Sequence, residues 1–344
     1  NVTWNGRRTR SAVRLRESGI LGDGNTGKKE LETMGLNAAS QKKGIWYELR
    51  KNRGLYLFML PGILYTFIFG YVTLPYMIIA FEDFDYKKGI FSPWVGLENF
   101  RFFFESNRAW EVTFNTILLN ALFLFFGTLV SVGLALILNE VKSKAFVRIS
   151  QSTMLFPYFI SWVIVSYILY AMLSTEKGVF NNILTAVGLD RVRWYSRPEL
   201  WRGILVFAKV WKSAGYTMII YLAAIVGIDH SLYEAAAIDG ANRWQCIKRI
   251  TLPLITPTIC IIILLEVGKI LCGDFGMVYA LGKESGQLLP KVDVIDTYVF
   301  RMLRVTGDPS LSMAVGVYQS IMGFIMVFGS NWLVKKLCPE GALF

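Results

Sequence analysis

A single histidine, His230, and four cysteines without a CxxC pair among them leave this 344-residue chain little from which to build a His-based triad or a zinc site. Cys246, Cys260, Cys272 and Cys338 fall in apolar or loop stretches and read as packing residues. Charge is scarce as well. Charged residues make up 18%, below the roughly 25% of soluble domains, while 54% are hydrophobic and mean hydropathy is +0.44. A membrane protein is the class this composition supports. A formal net charge of +11 also fits nucleic-acid binding, so where that charge lies decides between the two.

Crossing a bilayer as a helix takes roughly 20 apolar residues. Six such runs stand out: Leu55–Phe81, Ile117–Leu138, Met154–Leu173, Ile204–Ile228, Ile255–Leu281 and Met313–Val334. Six crossings put both termini on one side. With that side cytoplasmic, the inner segments hold 20 Lys and Arg against 10 Asp and Glu, and the outer ones hold 13 against 13. The short clusters Lys142, Lys144 and Arg148, and Lys335 and Lys336, then lie inside, as the positive-inside rule requires. Anionic lipid headgroups account for the basic balance, and nucleic acid is not needed.

Residues 1–45 are rich in Gly, Asn, Ser and basic residues with no apolar period, and are expected to form a flexible cytoplasmic tail. Within them GDGNTGKK, Gly22 to Lys29, approaches the phosphate-binding loop. Lys29 occupies the place of the magnesium-binding hydroxyl and no apolar strand precedes it, so it is rejected as an ATP site. Nothing in the tail resembles a signal peptide, and span one is expected to anchor the chain. That span carries Pro61, Gly62, Gly70 and Pro75, and a tilt or kink is expected.

Spans two and three carry no charge and read as plain scaffold helices, with Tyr158, Trp162, Tyr167 and Tyr170 packing or forming an interfacial belt rather than a sugar-stacking wall. Spans four and five differ. Lys209, Trp211 and Lys212 in the first, and Glu266, Lys269 and Asp274 in the second, lie too deep to be end anchors. Charge in a bilayer faces a water-filled cavity or a partner. Glu266 and Lys269 are spaced to pair on one helix face or to meet substrate. The transport path is therefore placed between spans four and five, with Tyr167 as a further candidate. The outer segments are each near thirty residues, and RVRWYSRPELW, Arg191 to Trp201, reads as a docking surface or an interfacial helix.

Between spans four and five the chain reads YEAAAIDGANRWQCIKRITLPL, Tyr233 to Leu254. Ser231 and Glu234 have capping-box spacing, which predicts a helix start there. Ala235, Ala236 and Ala237 continue it with so little bulk that another surface could approach the backbone closely. Gly240 permits the turn. A second short helix, about Asn242 to Ile250, is predicted to place Trp244, Ile247 and Thr251 near one face, and Pro253 to end the motif at the first turn of span five. An amphipathic loop on the headgroups would explain Trp244 and the basic residues but not the alanine run with its glycine.

Glu234-Ala235-Ala236, Gly240, Ile250 and Leu252-Pro253 match in full the signature E-A-A-x3-G-x9-I-x-L-P. The chain thereby resembles the permease subunits of binding-protein-dependent ABC importers. The stretches Leu60 to Phe100, LFPYFISWVIVSYI from Leu155 and DVIDTYVFR from Asp293 are similar to the oligosaccharide and polysaccharide branch, the LplB-like permeases. The likeness covers about 46–337, with the signature loop at 229–253, leaving 338–344 as a C-terminal tail.

The resemblance implies an all-α, six-helix type I permease in a bacterial plasma membrane, with both termini cytoplasmic. It implies a second permease, commonly a different chain, two ABC ATPase subunits and an extracellular solute-binding lipoprotein. ATP and magnesium would bind the ATPases, and this chain, itself no enzyme, would hold no cofactor or metal. Glu234 would contact a basic residue of the ATPase, cap its own helix, or both. Ala235 and Ala236 would form the close-contact surface, with Trp244, Ile250, Leu252 and Pro253 completing the docking element. Carbohydrate as substrate rests mainly on the branch resemblance. Two other classes remain open: an ion-coupled secondary transporter, against which no inverted hydropathy repeat is seen, and a membrane scaffold or sensor without flux.

Overall fold

A computed structural model of the chain describes residues 50–283 and 285–337. The basic tail, its GDGNTGKK segment, Cys338 and the C-terminal tail lie outside the described residues.

The chain divides into two compact units, Asn1–Leu74 and Pro75–Phe344. In the first, α1 (Arg53–Thr66) contains Pro61 and runs into a π-helical turn, Phe67–Tyr71. Thr66 and Thr73 donate their hydroxyls to the carbonyls of Gly62 and Phe69, so local side chains satisfy the backbone where the helix departs from α-geometry. A 3-10 stretch, Leu74–Phe81, follows, and Arg53–Phe81 is long and apolar enough to cross a membrane.

The second unit contains α2 (Glu98–Glu105), α3 (Asn107–Glu140), α4 (Lys144–Leu155), α5 (Trp162–Leu173), α6 (Val179–Ala186), α7 (Pro198–Val226), α8 (His230–Ile238), α9 (Arg243–Cys246), α10 (Leu252–Val267), α11 (Phe275–Gly282), α12 (Leu289–Val292), α13 (Ile295–Arg301) and α14 (Pro309–Leu337). Among the described residues, extended pairing is limited to one isolated bridge, Glu82 with Trp94. Spans two, four and six are continuous within α3, α7 and α14.

Span three is not the plain rod its composition suggests. A 3-10 turn, Phe156–Phe159, follows α4, Ile160 is extended, and α5 leaves at 98° to the preceding helix. Pro157 cannot sustain the α-helical bonding, and Ser161 restarts the helix by accepting from the Ile164 amide. Span five also ends early, at Val267. Gly268 to Gly273 break the helix before α11, so the expected run to Leu281 is two pieces.

Two long helices, α3 and α7, form the centre. Near the loop that joins α7 to span five, Ala135 and Leu138 pack with Met218, Tyr221, Ile225 and Ile255. Toward the other end, Leu119 and Phe123 pack with Trp201, Leu205, Met277 and Leu281. Small residues set the closeness of approach, because apolar side chains gain little by leaving lipid for one another. Ser131 Oγ donates to the Ala214 carbonyl at 3.2 Å. A Cβ added to Gly215 would stand 1.9 Å from the Met154 carbonyl oxygen. In the segment expected to be a docking surface or an interfacial helix, Trp201 is fully buried and donates to the Trp194 carbonyl at 2.7 Å, while Arg191, Arg193, Ser196, Arg197, Glu199 and Leu200 remain exposed.

Replacing Gly215 by alanine should therefore force α7 away from the end of α4 and cost about 1–3 kcal/mol. Gly133, whose added Cβ would meet nothing, should accept the same change. Thermal unfolding of the two variants in detergent, with a lowered midpoint for Gly215→Ala only, is the expected result.

Candidate functional site

Helix α8 begins one residue before Ser231, and the cap is Asp229. Its Oδ1 accepts the Ser231 amide at 3.0 Å. Ser231 is thus inside the first turn, and the expected Ser231–Glu234 capping box does not form. An aspartate cap satisfies a free amide and also meets the positive end of the helix dipole. The Ser231 amide holds the Asp229 carboxyl below its ordinary value of 3.8, so the cap is intact above that pH and is lost as pH falls through the lowered value. Glu234, released from capping, is exposed and has no ion-pair partner among the described residues.

The other end of α8 closes as a Schellman motif. Ala241 N–H donates to the Ala236 carbonyl at 2.9 Å and Gly240 N–H to that of Ala237 at 3.1 Å, with Gly240 at φ +75°. Ala235 and Ala237 are exposed, Ala236 is half-buried, and Ile238 is 88% exposed.

After the turn, Asn242 and Gln245 form the capping box that starts α9. This helix is not a separate element. It passes through a π-helical turn, Ile247–Thr251, into α10, giving one run from Arg243 to Val267. Pro253 does fall in the first turn of α10, as expected, but that turn continues the rod from Arg243, so the proline does not end the motif. The wider turn before it, where the Leu252 amide bonds the Ile247 carbonyl, takes up the bonding mismatch of a residue without N–H.

Trp244 does not share a face with Thr251. Trp244 is 69% exposed, Ile247 and Ile250 are half-buried, and Thr251 is buried. Leu252 is half-buried and Pro253 exposed at the base. Thr251 meets α8 directly, its hydroxyl 2.9 Å from that of Tyr233. Arg243 pairs with Glu140 at the end of α3, at 3.5 Å. The loop therefore presents Glu234, Ala235, Ala237, Ile238 and Trp244 on an open surface while Tyr233 and Arg243 hold it to the helices beneath.

Deeper in the fold, α3, α7, α10 and the segment after it enclose a cavity of about 640 Å³. It brings together Lys209, Glu266, Lys269 and Asp274. Asp274 is fully engaged: Lys209 Nζ donates to its Oδ2 at 2.8 Å, Trp162 Nε1 to the same atom at 3.2 Å, and the Met277 amide to Oδ1 at 3.1 Å. Pairing across spans thus replaces the local Glu266–Lys269 pair, which does not form. Both of those residues line the cavity with no ion-pair partner among the described residues. The break at Gly268 explains this, since Lys269 has left the helix that carries Glu266.

Three candidates lie away from the cavity lining. Trp211 is partly exposed elsewhere on α7. Lys212 donates to the Tyr158 carbonyl at 2.6 Å and sits 5.3 Å over the Trp162 ring. Tyr167 is exposed, with Lys283 Nζ 5.8 Å above it and 3.5 Å above Tyr170.

The cavity wall also holds residues not anticipated, chiefly Asn120, Ser213, Tyr216 and Cys272. Tyr216 stacks on Tyr158 at 4.4 Å and 10°. Ser213 and Tyr216 follow Lys209 at helical spacing, a signal present in the sequence. Cys272 is exposed to the cavity and so is not a packing residue.

Residues 124–337 match the family described as the binding-protein-dependent transport system inner membrane component. The match takes in both the exposed loop and most of the cavity wall. The chain belongs to this family. It is a multi-pass membrane component of an ABC transport system, not an enzyme. It is 35% identical to protein LplB of Bacillus subtilis (strain 168), over 85% of this chain and 92% of that one. It is likewise 35% identical, over 88% and 94%, to YteP of the same organism, the polygalacturonan/rhamnogalacturonan transport system permease protein. A solved bacterial ABC transporter involved in the import of the acidic polysaccharide alginate superposes with TM-score 0.79 at 35% identity, covering 86% of this chain and 99% of that chain. The bacterial alginate ABC transporter in complex with alginate pentasaccharide-bound periplasmic protein superposes with TM-score 0.77 at 34% identity, over 85% and 98%.

Space around Gly240 is open, so only its left-handed backbone demands glycine. Gly240→Val should cost at least about 1–2 kcal/mol of local stability, and Gly240→Asn far less. Hydrogen exchange at the Ala241 amide, fast in the valine variant and slow in the asparagine one, reports it.

Proposed function

We propose that this chain forms half of the pathway of an ATP-driven importer for an oligosaccharide, and that α8 is the element through which a separate ATPase drives it. The carrying observation is the open Glu234–Ala237 ridge at the end of a continuous Arg243–Val267 helix. A short helix with small exposed side chains, flanked by Ile238 and Trp244, suits a groove that must admit backbone closely. A rod fused to it carries any rotation of that helix into span five, whose end borders the cavity. Closure of two ATPases would thereby exchange an inward for an outward opening.

In this reading the α8 end is cytoplasmic, as are both termini. ATP and magnesium are held by the ATPases. The companions are a second permease, two ATPase subunits and an external solute-binding lipoprotein. The charges of the cavity balance: Lys209 is paired with Asp274, and Lys269 and Glu266 both face it without an ion-pair partner among the described residues. An anionic sugar is supported instead by the likeness to an importer of the acidic polysaccharide alginate, and Lys269 and the stacked Tyr158–Tyr216 pair would offer it a cation and an aromatic face. No observation favours the ion-coupled alternative.

Ala235 is the sharper test residue than the half-buried Ala236, because a large side chain there disturbs nothing in its own chain. Ala235→Trp should leave folding and membrane insertion intact and abolish ATP-dependent uptake by proteoliposomes carrying the complex pulled down with the tagged chain. Undiminished uptake would refute the docking role.

A further inference from the structure

The cavity beside Asp274 leaves one built feature of the molecule unused, and it lies at the other end of the fold. Ile295 N–H donates to Thr116 Oγ1 at 2.9 Å. Thr116 is 24 residues from Glu140 along α3, hence ~36 Å from the helix end that Arg243 holds. In this region α11, α12, α13 and the turn after α13 surround a second cavity of about 240 Å³. Its wall is mostly apolar: Val278, Leu289, Val292, Phe300 and Val305. Asp293 lines it too, only 1% exposed.

Two donors already satisfy one oxygen of that carboxylate. Thr297 Oγ1 reaches Asp293 Oδ1 at 2.7 Å and Arg301 Nη2 reaches it at 2.6 Å. Oδ2 is buried without any hydrogen-bond partner. Buried polar atoms in folded proteins are overwhelmingly paired, so an acceptor left free beside a cavity points to a donor supplied from outside. Because Arg301 offsets the charge, the fitting group is a neutral donor on an apolar stem. The volume lies below the 300–1,000 Å³ typical of small-molecule sites, which suits a single inserted side chain better than an oligosaccharide.

We infer that this cavity receives one hydroxyl- or amide-bearing side chain of the external solute-binding partner, hydrogen-bonded to Asp293 Oδ2, as an anchor of the docked complex. The inference rests on the importer reading, which places this end of the fold outside the cell beside that partner. A buried pocket filled by one anchor is how such interfaces concentrate affinity.

Asp293→Asn keeps Oδ1 for Thr297 and Arg301 but puts an amide donor where the free acceptor was, and Val305→Trp, at an exposed position, fills the cavity mouth. The complex is reconstituted with the binding protein recovered by pull-down, and ATP hydrolysis is titrated with it. Both variants should raise the half-saturating concentration by about tenfold or more, as expected for an unmatched buried polar contact, while basal hydrolysis is unchanged. A half-saturating concentration within twofold of the parent for both variants would overturn the inference. So would a shift in the sugar requirement alone, which would make the sugar the occupant. Failure of the unaltered complex to respond to binding protein at all would instead sink the importer reading.

Discussion

The hydrogen bond between the Tyr233 and Thr251 hydroxyls spans the Gly240 turn, and the mechanical account depends on it. Without it, α8 would hang on a two-bond helix terminus and could swivel freely. With it, and with Arg243 tied to Glu140, the exposed helix is held at both ends of its turn to buried helices. Thr251 is itself inside the π-helical turn of the span-five rod. A displacement applied to the alanine ridge is therefore passed into the span-five rod, and through Arg243 and Glu140 to the end of α3. The arrangement also explains why Pro253 can occupy that rod: the wider turn before it absorbs the lost bond without a hinge.

At the far end of the rod the constraint is electrostatic. Charge within a bilayer must find a partner or water. Asp274 meets that requirement by capping α11 and binding Lys209 and Trp162 at once, which ties spans three, four and five together beside the cavity. Glu266 and Lys269 are not used this way and face the cavity. The break at Gly268 to Gly273 separates them and gives this wall its irregular backbone, tolerable at such depth because it lines a cavity rather than lipid. The bend at Pro157 contributes likewise, since it brings Tyr158 onto Tyr216.

Much of this was legible in the residues. Hydropathy located five helices long and apolar enough to cross a membrane among the described residues, and a sixth span only if the pair bent by 98° at Pro157 is counted as one, because bilayer thickness imposes length directly. The signature loop was readable because its residues act locally: alanines extend a helix, and glycine takes the left-handed turn. What failed was local competition between signals. Asp229 outbid Ser231 as a cap because a carboxylate meets both amide and dipole, and Pro253 looked like a terminus because a π-helical turn leaves no mark in composition. The interruptions at Pro157 and Gly268 sat in apolar runs whose uniform hydropathy hid them. Of the substrate-path candidates, Lys209, Glu266, Lys269 and Asp274 line one cavity, whereas Trp211, Lys212 and Tyr167 do not, because only tertiary packing decides which face of a helix looks inward.

The central claim is that the open face of α8 is covered by another protein. Thiol labelling of Ala237→Cys, in a chain whose four native cysteines are replaced, tests it most directly. Labelling should be fast in the isolated chain and strongly suppressed in the complex assembled with its ATPase. Equal rates in both would contradict the account.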